Sequence, residues 1–289
     1  MEIIKTIEEM KEISSQARRA GKTVVLVPTM GYFHEGHLSL MREGRRRSDL
    51  LVVSLFVNPT QFGPNEDFKN YPRDFERDGK MAEGVGTDIL FAPEVGSMYP
   101  PDHQTVVRVE KVTQNLCGRS RPAHFQGVTT VVLMLFEIVM PSAAIFGEKD
   151  YQQLVTIKQM VRDLHMSVEV VGMPTVREAD GLAMSSRNTY LLPEERKAAR
   201  SLYGSLQKAQ ELLQKGERNV DRILQEMKRI LQSEPLVRID YVQVCDARTL
   251  EDVKRIERDV VVALAAYLGK TRLIDNLVFR NLSPNPQHR

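Results

Sequence analysis

Apolar residues in this chain recur with two different periods, and the first half of the sequence switches between them. Ile7, Met10, Ile13 and Ala17 fall at helical spacing behind a Thr6/Glu9 capping-box pair, and Gly21 closes that helix. Residues 24–27 are a short β-branched run, the pattern of a strand buried on both faces. A loop over 28–36 then leads to a helix predicted over 37–47. Residues 50–57 read as a second buried strand stopped by Asn58-Pro59, and residues 88–92 as a third stopped by Pro93. Residues 127–140 are rich in valine and threonine but too long for a typical strand, so they read as a buried helix. A strand over 143–146, an amphipathic helix over 150–165 and a strand over 168–171 continue the alternation. Strands alternating with helices imply parallel pairing, right-handed crossovers and a doubly wound α/β sheet.

The texture changes after Thr175. Pro193 opens a long helix through Leu202, Leu206, Ala209 and Leu213 that ends near Gly216. Asn219 caps another, carrying Ile223, Met227 and Ile230. Strand-like segments follow at 238–244, 260–266 and 273–279. Helices first and strands after predict a smaller α+β domain over 176–289 behind an α/β domain over 1–175, with no Gly/Ser linker between them. The polar tail over 283–289 reads as frayed.

Composition narrows the class. The chain has 289 residues, 42% hydrophobic and 27% charged, which allows a substantial core and excludes wholesale disorder. Lys plus Arg is 40 and Asp plus Glu is 38, a formal charge of +2 that argues against a dedicated nucleic-acid binder. Cys117 and Cys245 are too far apart for a disulfide framework or a zinc spacing, so a reducing compartment is the simplest expectation. The N-terminus has no signal-peptide core, and the longest apolar run, 131–140, is broken by Glu137. The expectation is a cytoplasmic protein without a membrane partner.

Chemistry concentrates at two places. The first predicted strand runs into Pro28-Thr29-Met30-Gly31-Tyr32-Phe33-His34-Glu35-Gly36-His37. In an open α/β sheet the ligand sits beyond the carboxyl ends of the strands. A glycine-containing turn feeding a helix N-terminus there favours a phosphate, with two imidazoles beside it. His-Glu-Gly-His lacks the i, i+4 spacing of a metalloprotease zinc pair. Taken alone, the segment reads equally well as a turn with two solvated histidines. The second place is Met184-Ser185-Ser186-Arg187, in a polar loop behind Asp180-Gly181. Two hydroxyls and a guanidinium suit a phosphate clamp, although such a loop alone is more often a solvated turn. Met184 is its one apolar anchor in sequence, which predicts a loop mobile without nucleotide and ordered with it.

Together the two segments resemble the paired signature of the adenylyl-transferring superfamily that includes class I aminoacyl-tRNA synthetases: His-x-Gly-His near the first strand and a Lys-Met-Ser-Lys-Ser-type loop downstream. Further blocks are more specific. Val27-Pro28-Thr29-Met30-Gly31, Asn58-Pro59-Thr60-Gln61-Phe62, Arg121-Pro122-Ala123-His124-Phe125, Phe146-Gly147-Glu148-Lys149-Asp150, the stretch 175–188 and Thr271-Arg272-Leu273-Ile274-Asp275-Asn276 are similar to the pantothenate synthetase (pantoate–β-alanine ligase) family. The resemblance spans nearly the whole chain. One departure is Ala123, where the family usually has glycine.

The resemblance implies a Rossmann-like nucleotide-binding domain with a smaller α+β domain that carries the clamp loop at its start. It implies ATP-dependent condensation of (R)-pantoate with β-alanine to pantothenate, a precursor of coenzyme A. A pantoyl adenylate is the intermediate, and AMP and pyrophosphate are released. By the same resemblance His34 and His37 face the phosphates, and the family's proton donor falls on His37. Lys149, Ser185, Ser186 and Arg187 complete the catalytic set. Met30, Gly31, Tyr32, Phe33, Glu35, Gly36, Gly147, Glu148, Asp150, Val176 and Met184 line ATP. Gln61 reads pantoate and β-alanine, and Gln153 reads pantoate; an amide offers both donor and acceptor to a hydroxy acid. Mg²⁺ is expected on the ATP phosphates rather than in a protein cage. A homodimer is the implied assembly.

Other conspicuous residues carry less. His103, His165 and His288 have no constellation around them in sequence, Arg45-Arg46-Arg47 reads as a solvated helix end, Asp67 and Asp74 as loop and cap positions, and Cys117 lacks a nucleophile pattern. Two rivals stand beside the ligase. A nucleotidylyltransferase would stop at a nucleotide product without forming an amide. A non-catalytic tRNA-binding module would need a basic surface and an anticodon-binding appendage.

Overall fold

The computed structural model describes residues 1–64 and 66–280; His288 and the frayed-tail reading lie outside them. The chain divides into two compact units. The first comprises Met1–Thr113, Arg121–Glu148 and Gln153–Val176; the second comprises Gln114–Ser120, Lys149–Gln152 and the chain from Arg177 onward.

In chain order the elements are β1 (Glu2–Ile4), α1 (Ile7–Arg19), β2 (Val24–Thr29), α2 (Glu35–Arg47), β3 (Leu50–Leu55), α3 (Phe75–Gly84), β4 (Ile89–Phe91), α4 (Val95–Met98), α5 (Cys117–Ser120), α6 (His124–Val139), β5 (Ala143–Gly147), α7 (Tyr151–Asp163), β6 (Glu169–Met173), α8 (Pro193–Gln214), α9 (Val220–Gln232), β7 (Val237–Asp246), β8 (Val260–Leu268) and β9 (Thr271–Phe279). Single 3₁₀ turns cover Pro59–Gln61, Glu148–Asp150 and Ser186–Tyr190.

In the first unit six strands pair in parallel in the order β1-β4-β3-β2-β5-β6. From β2 the chain first steps outward through β3 to β4, then returns to lay β5 on the other side of β2. The strand order therefore reverses between β2 and β5, and the crevice beyond their carboxyl ends is where such sheets bind ligands. One face of the sheet buries Val25, Val27, Leu51, Val53, Leu90, Ala143 and Ile145 with Phe33, Leu40 and Met41 of the following turn and α2. The alternate residues Val24, Leu26 and Ala144 are also fully buried, and α1 and α6 pack against β2. Both faces are thus covered, which is why the strands read as continuous apolar runs.

Several boundaries differ from the sequence reading. Helix α2 starts at Glu35 rather than 37, because His34 is the extended residue that precedes its first turn. Strand β2 continues to Thr29, whose hydroxyl donates to the Ser54 carbonyl at 2.6 Å. Strand β3 stops at Leu55, where Asn58 begins the 3₁₀ turn. Residues 127–139 are helical, within α6, and Met140 closes that helix in the left-handed conformation. Four elements had no clear signal: β1 is only three residues long, α4 and α5 are four residues each, and α3 is polar with Gly79 inside it. Asp74 does cap α3, accepting the Arg77 N–H at 3.1 Å.

In the second unit β7, β8 and β9 form an antiparallel sheet. Leu202, Leu206, Ala209 and Leu213 of α8 and Ile223, Met227 and Leu231 of α9 share one core with Val260, Val262 and Leu264 of β8. Among the described residues no helix is long and apolar enough to cross a membrane.

Candidate active site

The turn after β2 is shaped by a carboxylate from α3. Gly31 and Tyr32 both take positive φ, at 85° and 51°. Asp78, 1% exposed, accepts the Tyr32 N–H at 2.5 Å and the Phe33 N–H at 2.7 Å. A Cβ at Gly31 would stand 3.0 Å from Asp78 Oδ2, so glycine meets both the backbone conformation and the close approach. Burial pushes the Asp78 carboxyl above the ordinary range, and the hydrogen bonds from Phe33 and Tyr32 offset that only in part. Phe33 itself is fully buried, and its carbonyl accepts Arg77 Nη2 at 2.8 Å.

The two histidines follow directly. The His34 N–H donates to His37 Nδ1 at 3.3 Å, and the ring centroids are 4.1 Å apart. With Nδ1 accepting, the neutral His37 ring carries its proton on Nε2, which makes Nε2 a donor. Glu35 turns to Arg42, whose nitrogens reach its oxygens at 2.5 and 3.1 Å.

A second turn, after β3, carries Gln61. Asn58 Nδ2 donates to Gln61 Oε1 at 3.1 Å and to the Gly127 carbonyl at 3.0 Å, and Gln61 Nε2 lies 3.0 Å from Met30 Sδ. The Gln61 carbonyl takes Arg121 Nη2 at 3.2 Å and lies 2.8 Å from His124 Nδ1. Arg121 also grips both Glu66 oxygens at 2.6 Å. Burial opposes ionisation of Glu66, but Arg121 outweighs it and holds the carboxyl below the ordinary range. Gly127 lets α6 back onto this turn: a Cβ there would fall 2.5 Å from the Thr60 carbonyl oxygen. Gln153, half-buried, lies in the first turn of α7, soon after β5. Met30, the histidine turn, Gln61, Gly147, Glu148, Gln153 and Val176 all belong to the first unit, and Met30 and Gln61 touch.

Lys149, Asp150 and Met184–Arg187 belong to the second unit. Lys149 Nζ lies 3.7 Å from Asp150 Oδ2, and its carbonyl accepts Asn276 Nδ2 at 2.8 Å. The neighbouring Asp275, 3% exposed, takes Arg177 at 2.6 and 2.9 Å. Burial is the largest influence on Asp275 and leaves its carboxyl above the ordinary range despite Arg177. Strand β9 therefore holds both the Lys149 turn and the start of the segment that leads to Ser185. Ser185 Oγ accepts the Arg187 N–H at 3.3 Å, and Ser186 is buried. Asn188 donates to Glu178 Oε1 at 2.7 Å, and Arg196 bonds both Glu178 and Asp180. The loop thus has more anchors than Met184: Leu182 and Ala183 are buried beside the polar brace. Those anchors were hidden because their partners are distant in sequence.

The family's sequence model, described as pantoate-beta-alanine ligase, matches residues 2–278. The chain belongs to the pantoate–β-alanine ligase family. A pantothenate synthetase of Syntrophus aciditrophicus is 58% identical over 96% of this chain and 98% of its own length. One of Thermotoga petrophila is 56% identical over 96% and 99%. The crystal structure of a Thermus thermophilus pantothenate synthetase superposes with a TM-score of 0.92 at 44% identity, over 98% of this chain and 100% of that one. A Francisella tularensis pantoate–β-alanine ligase complexed with beta-gamma ATP and β-alanine gives 0.79 at 32% identity, over 96% and 97%. Family membership makes the chain a ligase.

Residue-level reading from sequence missed Asp78, Arg77 and Glu66 as supports of the site. Asp78 lies in a polar helix and meets partners 45 and 46 positions away, so no local pattern announces it. His103 stacks edge-on with Tyr99, and Arg46 and Arg47 pair with Glu43. Among the described residues no group of three or more His, Cys, Asp or Glu is placed to hold a metal ion.

Proposed function

We propose that the protein joins pantoate to β-alanine with ATP, through a pantoyl adenylate, and releases AMP and pyrophosphate. The observation that carries this reading is the contact of Met30 with Gln61 at the carboxyl edge of the parallel sheet. It sets a residue assigned to nucleotide against one assigned to the hydroxy acid. The chemistry needs that adjacency, because the pantoate carboxylate must reach the α-phosphorus.

A carboxylate is a poor acylating agent, and AMP supplies the leaving group. Negative charge builds on the phosphates in the first step, so fixed donors are the main assistance. His37 Nε2–H, His34, Lys149 and Arg187 are the donors in this reading, with Ser185 and Ser186 adding hydroxyls. Gln61 and Gln153 hold pantoate; Gln61 also meets β-alanine. In the second step the β-alanine amine attacks the acyl carbon and AMP leaves with the bridging oxygen. Mg²⁺ travels on the triphosphate, and no step is assigned to a protein-held metal. The reading extends to a cytoplasmic homodimer; sedimentation at the monomer mass would remove that part.

Incubation with pantoate, β-alanine and MgATP tests the reading. Pantothenate and AMP in equal amounts are expected. A nucleotide-containing final product with no amide would transfer the protein to the nucleotidylyltransferases.

A further inference from the structure

We propose that Asp78 is a positioning residue for adenylate formation: its carboxylate fixes the turn that delivers His34 and His37. This rests on the ligase reading above. Both oxygens are committed to consecutive main-chain N–H groups, those of Tyr32 and Phe33, and both bonds are short. The preceding residue of α3, Arg77, takes the Phe33 carbonyl. Two adjacent side chains therefore hold both polar groups of one peptide segment. That segment needs holding, because Tyr32 is a bulky residue in the left-handed region and directly follows Gly31, which is there too. Phe33 is pinned in the core, and His34 comes next as the residue that starts α2. A shift of this turn moves both imidazoles together.

The charge of Asp78 points the same way. A buried anion close to where phosphates gather is unfavourable to their binding. Its presence is accounted for by geometry, not by attraction of substrate. It also withdraws the Tyr32 and Phe33 N–H groups from any phosphate. The phosphates are left to the imidazoles and to the first N–H groups of α2.

The two roles separate in kinetics. If Asp78 acted only by charge, Asp78→Asn would tighten ATP binding and leave kcat alone. As a positioning residue it should lose kcat for adenylate formation by about 10²-fold, the scale of a misplaced catalytic group, with KM for ATP unchanged or lower. Asp78→Glu keeps the charge one methylene out of place and should lose at least about tenfold in kcat. Glu43→Gln is the control. Glu43 is also a buried carboxylate, paired with Arg46 and Arg47 toward the other end of α2, and its loss should lower the melting temperature without changing kcat. In the wild type, hydrogen exchange at the Tyr32 and Phe33 amides should be as slow as in the core of β2. Wild-type kcat in folded Asp78→Asn or Asp78→Glu overturns the proposal, as does rapid exchange of those amides if neither variant folds. Failure of the wild type to make pantothenate would instead remove the ligase reading.

Discussion

In the first unit the buried carboxylate of Asp78 meets main-chain N–H groups, whereas in the second the buried carboxylate of Asp275 meets the guanidinium of Arg177 in a two-point pair. Burial raises both carboxyls. What differs is the partner's answer to a change. Peptide dipoles at Asp78 carry no net charge and cannot leave the turn, and the Arg77 guanidinium stands off at 3.7 Å from the carboxylate, so that brace is chiefly a matter of backbone shape. The brace at Asp275 is an ion pair, continued outward by Arg196 with Glu178 and Asp180. The histidine turn is thus held by geometry, and the serine-arginine loop by charge. Perturbations of charge should act on the serine-arginine loop before they act on the histidine turn.

The largest effect should come from breaking the buried pair. Arg177→Ala strands the Asp275 carboxylate and should cost about 3–5 kcal/mol of stability. Urea unfolding measures it; a cost below about 1 kcal/mol is the behaviour of a solvated pair and would erase the contrast between the units.

Next in size is the loss of a phosphate donor from the shape-held turn. His37→Ala should slow adenylate formation by about 10²–10³, with pantoate affinity largely kept. Near-normal single-turnover adenylation would remove His37 from the step.

Arg187→Ala sharpens the comparison from the other side. Losing a charge-assisted partner of the triphosphate should slow the first half-reaction by roughly tenfold to 10², from about 1.5–3 kcal/mol. Amide formation from preformed adenylate should fall less, because pyrophosphate has already left. Rapid-quench measurement separates the steps; equal losses would assign the loop to AMP or to the fold.

The smallest effect is a pH dependence. The hydrogen bond from Arg196 holds Glu178 below the ordinary carboxylate range, against a cost of burial. A depressed folded value means the stabilisation is complete above the unfolded glutamate value and is lost as pH falls through the folded one. Melting temperature should therefore fall on acidification below the ordinary glutamate range, and Glu178→Gln should flatten that fall. Asp78 has the opposite sign. Its raised folded value makes its ionised form a cost, one that is relieved as pH falls through that value. An unchanged acid limb in Glu178→Gln would show that this pair is not what acid attacks.

The parallel core was legible because strands buried on both faces must be apolar at nearly every position, as in residues 24–27 and 50–53. The buried helix α6 could be told from a strand by length. The histidine turn and the Ser185–Arg187 loop were legible as local motifs. Their supports were not. Asp78, Arg121 and Asp275 are ordinary charged residues until the fold brings partners 46, 55 and 98 positions away against them. Strand β1 was missed because its three residues are a strand only through pairing with β4.

The adenylate itself can be tested by isotope transfer. Pantoate labelled with oxygen-18 in its carboxylate should pass one labelled oxygen to the phosphate of AMP, because that oxygen bridges acyl carbon and phosphorus before the amine attacks. Mass spectrometry of the nucleotide after one turnover reads this directly. Unlabelled AMP, or ADP and free phosphate in its place, would contradict the reaction assigned to this site.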